Sequence, residues 1–329
     1  MKPLLECIPN FSEGTDPQII SAIRSAITSV AGQKLLHMDP GPSANRTVFT
    51  FAGTPEAVVE AAFQAIAVAT RQIDMRLQHG AHPRVGSTDV CPLVPLAGMT
   101  MPEAVSWSEK LAERVGKELQ VPVYLYEYAA KALHRKALPD IRKGQYEGLK
   151  HKMQLPDWQP DYGPADWERA ARSGAAIIGA RDILVAFNIS LNTKEEKIAG
   201  AIARKMRSSN NGLLPSLRAI GWYMDDFDCA QVSMNLLDYR VTSPLKAWDT
   251  CRSLAAEYGL EPVGCEVVGL IPEACVLEAG EMALGQSLIP EQREMFLNAG
   301  IAYLKLDQVK PFDPQEKILE YALAREGLL

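Results

Sequence analysis

The chain has 329 residues, 47% hydrophobic and 22% charged, the balance of a globular protein with enough apolar material for a sizeable core. Its 34 basic and 40 acidic residues leave a formal charge of -6, which excludes the overall basic character of a non-specific nucleic-acid binder but leaves room for a local basic pocket. No apolar run approaches the roughly 18 residues of a membrane span, and the first residues lack the apolar stretch of a secretory signal. The six cysteines form no C-x-x-C pair and read as reduced, mostly buried thiols of a cytoplasmic protein.

Residues 4–9 form a short apolar strand ended by Asn10 and a polar turn. Asp16 caps a helix over 17–30 that opens on Pro17 and carries Ile19, Ile20, Ile23, Ile27 and Val30 on one face. Strands follow at 34–38 and 45–52, the second alternating Thr47, Phe49 and Phe51 against Val48 and Thr50. Thr54-Pro55-Glu56 opens a helix whose apolar positions keep the i, i+3, i+4 rhythm to Ile73. After a loop rich in glycine, histidine and proline comes a strand at 89–96. This is the split β-α-β order of a ferredoxin-like unit.

A helix at 102–119 and a strand at 121–126 precede a polar connection over 131–173, too rich in proline and glycine at 155–164 for a regular element there. The first pattern then recurs: strand 183–189, helix 194–207, strands 217–223 and 231–237, helix 244–258, strand 263–270. The sequence predicts an α+β protein of two ferredoxin-like subdomains, residues 1–178 and 179–329, with a ligand groove between them.

The densest polar cluster is residues 79–89, where His82 titrates near neutrality, Arg84 supplies a guanidinium, and Gly80 and Gly86 admit a close ligand. Pro83 stiffens the loop after His82, which suits proton transfer; a solvated loop with a backbone-bonded histidine is the competing reading. His79 and His82 with Asp39 or Asp89 make half a metal-ligand set, and glycine and proline break the helix that would align them, so no metal is expected. Asp39, at a strand end, either orients a histidine or merely shapes a turn, and Arg46 is either an anion clamp or a surface charge.

Asn188 and Asn192 flank a strand end, and Asn192 or Thr193 is placed to cap the next helix. Gln231 lies on a strand where its amide either reads a heteroaromatic edge or bonds within the protein. The glycines at 174–181 lack a phosphate-loop motif.

Seven blocks in order, ECIPNFSEG (6–14), DPGPSANRTV (39–48), GAHPRVGSTDVCP (80–92), VPVYLY (121–126), LVAFNISLNT (184–193), AIGWY (219–223) and AQVSMNLLD (230–238), resemble the formiminotransferase family. The resemblance covers nearly the whole chain and implies the transferase part alone, without a cyclodeaminase part, which a separate protein would supply. It implies transfer of a formimino group between N-formimino-L-glutamate and N5 of tetrahydrofolate as co-substrate, in histidine degradation, by a homodimer. The family's catalytic histidine falls on His82, with Asp39 placed to hold its tautomer. Folate contacts fall on Gly163, Pro164, Ser173 and Gly174, with Asn188 and Gln231 as further candidates. Arg46, Arg84 and Arg181 are candidate partners for carboxylates. One imidazole would take a proton from the attacking nitrogen and return it to the leaving one. A metal-dependent formiminoglutamate hydrolase, a non-catalytic folate-binding module and a transferase acting on 5-formyltetrahydrofolate stay open as alternatives.

Overall fold

A computed structural model describes residues 2–207, 209 and 211–329. The described residues form two compact units, essentially those up to 182 and those from 183 to 327. The class is mixed α+β, with one sheet in each unit.

In the first unit, the strand expected at 4–9 is two pieces, β1 (Leu5–Cys7) and β2 (Asn10–Phe11), broken at Ile8 and Pro9. Helix α1 (Pro17–Thr28) starts where Asp16 accepts hydrogen bonds from the Gln18 and Ile19 amides, and it buries Ile20, Ile23 and Ile27. Strand β3 (Gln33–Gly41) runs beyond its expected end and contains Asp39, while β4 (Arg46–Gly53), α2 (Pro55–Gln72) and β5 (Thr88–Pro95) follow in the expected order. The broken first strand lies between β4 and β5, with β3 outside β4.

Helix α3 (Met101–Glu118), whose Glu103 accepts from the Thr100 amide at 2.8 Å, leads to β6 (Val123–Glu127). The stretch at 174–181 is strand β7 (Ala176–Ala180), parallel to both β5 and β6 and fully buried. A strand covered on both faces shows no alternation, so Gly179 within it and Gly174 before it read as a loop signal. The first compact unit consequently runs past residue 178 to Asp182.

The connection at 131–173 is more regular than its composition suggests. It holds α4 (Leu138–Arg142), α5 (Gln145–Lys152) and the single turn α6 (Trp167–Ala170). Gly144, at φ +88°, makes the corner between α4 and α5. Lys152 donates to the carbonyls of Asp140, Ile141 and Lys143 at 2.7–3.1 Å, closing the open end of α4. Helices this short have no stability alone; tertiary contacts hold them.

The second unit repeats strand and helix order with β8 (Val185–Leu191), α7 (Glu196–Met206), β9 (Leu217–Met224), β10 (Cys229–Leu236), α8 (Pro244–Ala256) and β11 (Pro262–Val268). Its sheet order is β11-β8-β10-β9, antiparallel throughout. Neither Asn192 nor Thr193 caps α7 as expected: the helix starts at Glu196, and Asn192 instead accepts from the Glu261 amide at 2.9 Å. Beyond β11 lie α9 (Glu273–Leu284), α10 (Arg293–Tyr303), α11 (Pro314–Lys317) and α12 (Leu319–Arg325). Among the described residues no helix is long and apolar enough to cross a membrane.

Candidate active site

The loop from 79 to 87 is held by backbone as much as by side chains. Asn45, at φ +45°, donates to the His79 carbonyl at 2.6 Å, and the Ala81 amide donates to Ser43 at 3.2 Å. A Cβ on Gly80 would sit 2.4 Å from the Ala44 carbonyl oxygen, and one on Gly86 2.2 Å from that of Ala175, so the close approach at both positions requires glycine. Ser12 donates to Gly86, and the Ser87 amide donates to Ser173 at 2.7 Å.

On this loop His82 is half-buried, while His79 is exposed. His82 Nδ1 lies 2.7 Å from the Pro83 carbonyl, which is a hydrogen bond only if Nδ1 carries the proton. We assign that tautomer, which puts the basic lone pair on Nε2. Arg46 Nη1 stands 3.2 Å from the same Nδ1 as a neighbouring cation.

Behind the imidazole lies a charge network. The carboxylate of Asp89, with no solvent exposure, pairs with Arg46 and Arg142 and accepts from the Val85 amide at 3.0 Å. Arg46 Nε also donates to Asn10 at 2.9 Å. Pairing shifts here: Asn10 faces Val90 and Phe11 faces Thr88, leaving Asp89 as the extra residue of a bulge. A bulge re-aims its side chain, and this one turns a carboxylate toward the guanidiniums.

The network sets the proton affinities. Burial, and after it the Arg46 and Arg142 charges, push His82 well below its ordinary value of 6.5, against the pull of Asp89 and the Pro83 carbonyl. Burial works to raise Asp89, yet Arg142 and Arg46 outweigh it and hold the group at about 2. Burial lowers Arg46 to about 10 despite Asp89. A neutral imidazole beside a buried, positively charged cluster is therefore the resting state at neutral pH.

The remaining sequence candidates fall in several places. Asp39 is buried on β3, 3.6 Å from His37 Nε2. Arg84 commits all five N–H groups inside the protein: two to Gln78, one to Gln145 and a fork to Glu147, tying the loop to α5. Arg181 follows β7 and donates to the Asp182 carbonyl at 2.8 Å. Ser173 and Gly174 pack on the His82 loop through Gly86, whereas Gly163 packs on Val121 and on Gly116 of α3, with Pro164 next to it.

Asn188 and Gln231 lie on the second sheet. Asn188 donates to Glu266 at 3.1 Å, and Gln231 donates to Ser190 at 2.9 Å while accepting from Trp222 at 3.1 Å. Arg142 escaped the sequence reading because its helix has no periodic signal; Asp89 figured only as a metal-ligand candidate, since nothing marks the bulge.

The α+β frame thus presents a loop-borne histidine backed by two guanidiniums that share one buried carboxylate. Residues 4–181 match the N-terminal subdomain of the formiminotransferase domain, and residues 186–324 match the formiminotransferase domain that follows it. The chain belongs to the formiminotransferase family. It is 40% identical over 284 residues to the glutamate formimidoyltransferase of Streptococcus pyogenes, covering 86% of this chain and 94% of that one. To the enzyme of the same name from Thermoplasma acidophilum it is 41% identical, covering 85% and 92%. It is also 42% identical to the formimidoyltransferase-cyclodeaminase of Rattus norvegicus over 99% of this chain but 61% of the relative, so it spans about three fifths of that bifunctional protein.

Proposed function

We propose that this protein is a glutamate formimidoyltransferase, moving the formimino group between N-formimino-L-glutamate and N5 of tetrahydrofolate in histidine degradation. The observation that carries this reading is His82, neutral and half-buried on a pinned loop, with Nε2 left basic and Arg46 beside it. Attack of one nitrogen on the formimino carbon requires a proton to leave that nitrogen, and departure of the other requires a proton to arrive. His82 does both in turn, taking the first proton at Nε2 and returning it to the leaving nitrogen. The same depression that keeps the imidazole neutral makes its conjugate acid a better donor. No covalent bond to the protein is needed.

In this reading Arg46 meets substrate carboxylate, and the Pro83 carbonyl takes the tautomer-setting role expected of Asp39, which lies 3.6 Å from His37. Ser173 and Gly174, adjoining the His82 loop, serve the folate side with Gly163 and Pro164, and Arg181 is a further anion contact. Arg84, with every donor in use, holds α5 to the loop. The protein acts as a cytoplasmic homodimer without a metal. The test is an assay of purified protein with N-formimino-L-glutamate and tetrahydrofolate, following 5-formiminotetrahydrofolate spectrally. Turnover requiring both compounds supports the transferase. Release of ammonia without folate would instead establish the hydrolase, and binding of folate without turnover would establish the non-catalytic module.

A further inference from the structure

The three charges behind His82 do not cancel. Asp89 contributes one negative charge, and Arg46 and Arg142 contribute two positive ones. The Asp89 oxygens already meet both guanidiniums and the Val85 amide, so that carboxylate has little left to offer. Both arginine side chains are mostly buried, 9% and 12% exposed, and an uncompensated buried charge is costly.

Each guanidinium also has an unused edge. Arg46 engages the rest of the protein through Nε and Nη1, and Arg142 through Nε and Nη2. Among the described residues nothing is hydrogen-bonded to Arg46 Nη2 or Arg142 Nη1. Two guanidinium edges with a surplus positive charge, on arginines that share Asp89 and of which Arg46 stands 3.2 Å from an imidazole, match a carboxylate.

The position selects which carboxylate. In N-formimino-L-glutamate the reacting nitrogen and the α-carboxylate are bonded to the same carbon, whereas the side-chain carboxylate is two methylenes farther along. Arg46 Nη1 is 3.2 Å from the His82 ring, so a carboxylate on the adjoining Nη2 leaves its own α-nitrogen next to the imidazole.

We propose that Arg142, together with Arg46, holds the α-carboxylate of the amino-acid substrate, with Asp89 as the spacer that fixes the two guanidiniums. The inference rests on the transferase reading and adds Arg142 to it. Arg142 reaches the site because Lys152 closes the end of α4 and the Arg84–Glu147 fork anchors α5.

Calorimetric titration of the full chain with N-formyl-L-glutamate, whose neutral formamide stands in for the formimino group while both carboxylates are kept, tests it without turnover. N-formyl-L-glutamine keeps only the α-carboxylate, and 4-formamidobutanoate keeps only the distal one. The wild-type protein is expected to bind 4-formamidobutanoate at least about ten-fold more weakly than N-formyl-L-glutamate. Arg142→Gln is expected to weaken both α-carboxylate compounds about 10- to 100-fold while leaving 4-formamidobutanoate and tetrahydrofolate unchanged. Arg142→Lys, which retains charge without the fork, should fall between. Equal wild-type affinity for N-formyl-L-glutamate and 4-formamidobutanoate overturns the proposal and needs no variant. A loss in Arg142→Gln confined to tetrahydrofolate also overturns it, by assigning the clamp to the folate tail. The expected binding pattern in a protein with no transfer activity would overturn the transferase reading and leave the clamp standing.

Discussion

In the first sheet, alternation turns Phe49 and Phe51 toward α1 and α2 and places Arg46 on the opposite side of β4. In the second sheet, Val232 and Met234 join the core with α7 and α8, and Gln231, Ser233 and Asn235 take the other side of β10. The face turned away from α1 and α2 in the first sheet and the one turned away from α7 and α8 in the second both bury polar groups, but they balance them differently. The second closes a neutral row in which Ser190, Gln231 and Trp222 satisfy one another across three strands. The first leaves one positive charge over and two donor edges unused. A closed neutral network stabilises a fold and asks for nothing more, whereas a buried charge surplus beside a histidine is completed by a ligand.

Experiments can break or sharpen this contrast. The largest effect is expected from His82→Ala, whose kcat should fall about 10²- to 10⁴-fold while equilibrium binding of tetrahydrofolate stays close to wild type. Unchanged turnover would remove the imidazole from the mechanism. Next is Asp89→Asn, which leaves two buried guanidiniums facing each other and should lower unfolding free energy in urea by about 3–5 kcal/mol. On the neutral face, Gln231→Leu strands the Trp222 donor and should cost about 1–3 kcal/mol by the same measurement. A loss at position 231 as large as that at 89 would contradict the distinction between the two faces.

The pH dependence is subtler. His82 must be neutral to accept a proton, so kcat/KM should decline as pH falls through its depressed value, placing the acid limb below 6.5. Removing a neighbouring positive charge raises that value, so Arg46→Gln should move the limb upward by about 1 pH unit. An acid limb already at 6.5 in the wild type would show that the guanidiniums do not act on the imidazole. The smallest effect is expected from exhaustive chelation, which should leave the transfer rate as it was; a folate-independent release of ammonia that is lost to chelator and restored by a divalent cation would reinstate the hydrolase.

Much of the frame is legible in the sequence because local chemistry specifies it. The Asp16-Pro17, Thr54-Pro55 and Ser243-Pro244 starts announce α1, α2 and α8, and the isoleucine stripe of α1 names its buried face. The loop at 79–89 also stands out, because histidine, arginine, proline and glycine seldom cluster without reason. Capping was less readable: Asn192 has the right chemistry for a cap, yet the Glu261 amide of a neighbouring segment claims it.

What stayed hidden depends on residues distant in sequence. Helices α4 and α5 are too short to persist alone, and Lys152, Arg84 and Glu147 supply from elsewhere what propensity lacks. β7 is buried on both faces and so lacks the alternation that betrays a strand. Side-chain identity is enough to nominate His82, since its chemistry is intrinsic to the ring. Its proton affinity and its anionic partner are not intrinsic: they follow from Arg46, Asp89 and Arg142, three charges from separate segments that a strand bulge and a short helix bring within hydrogen-bonding distance.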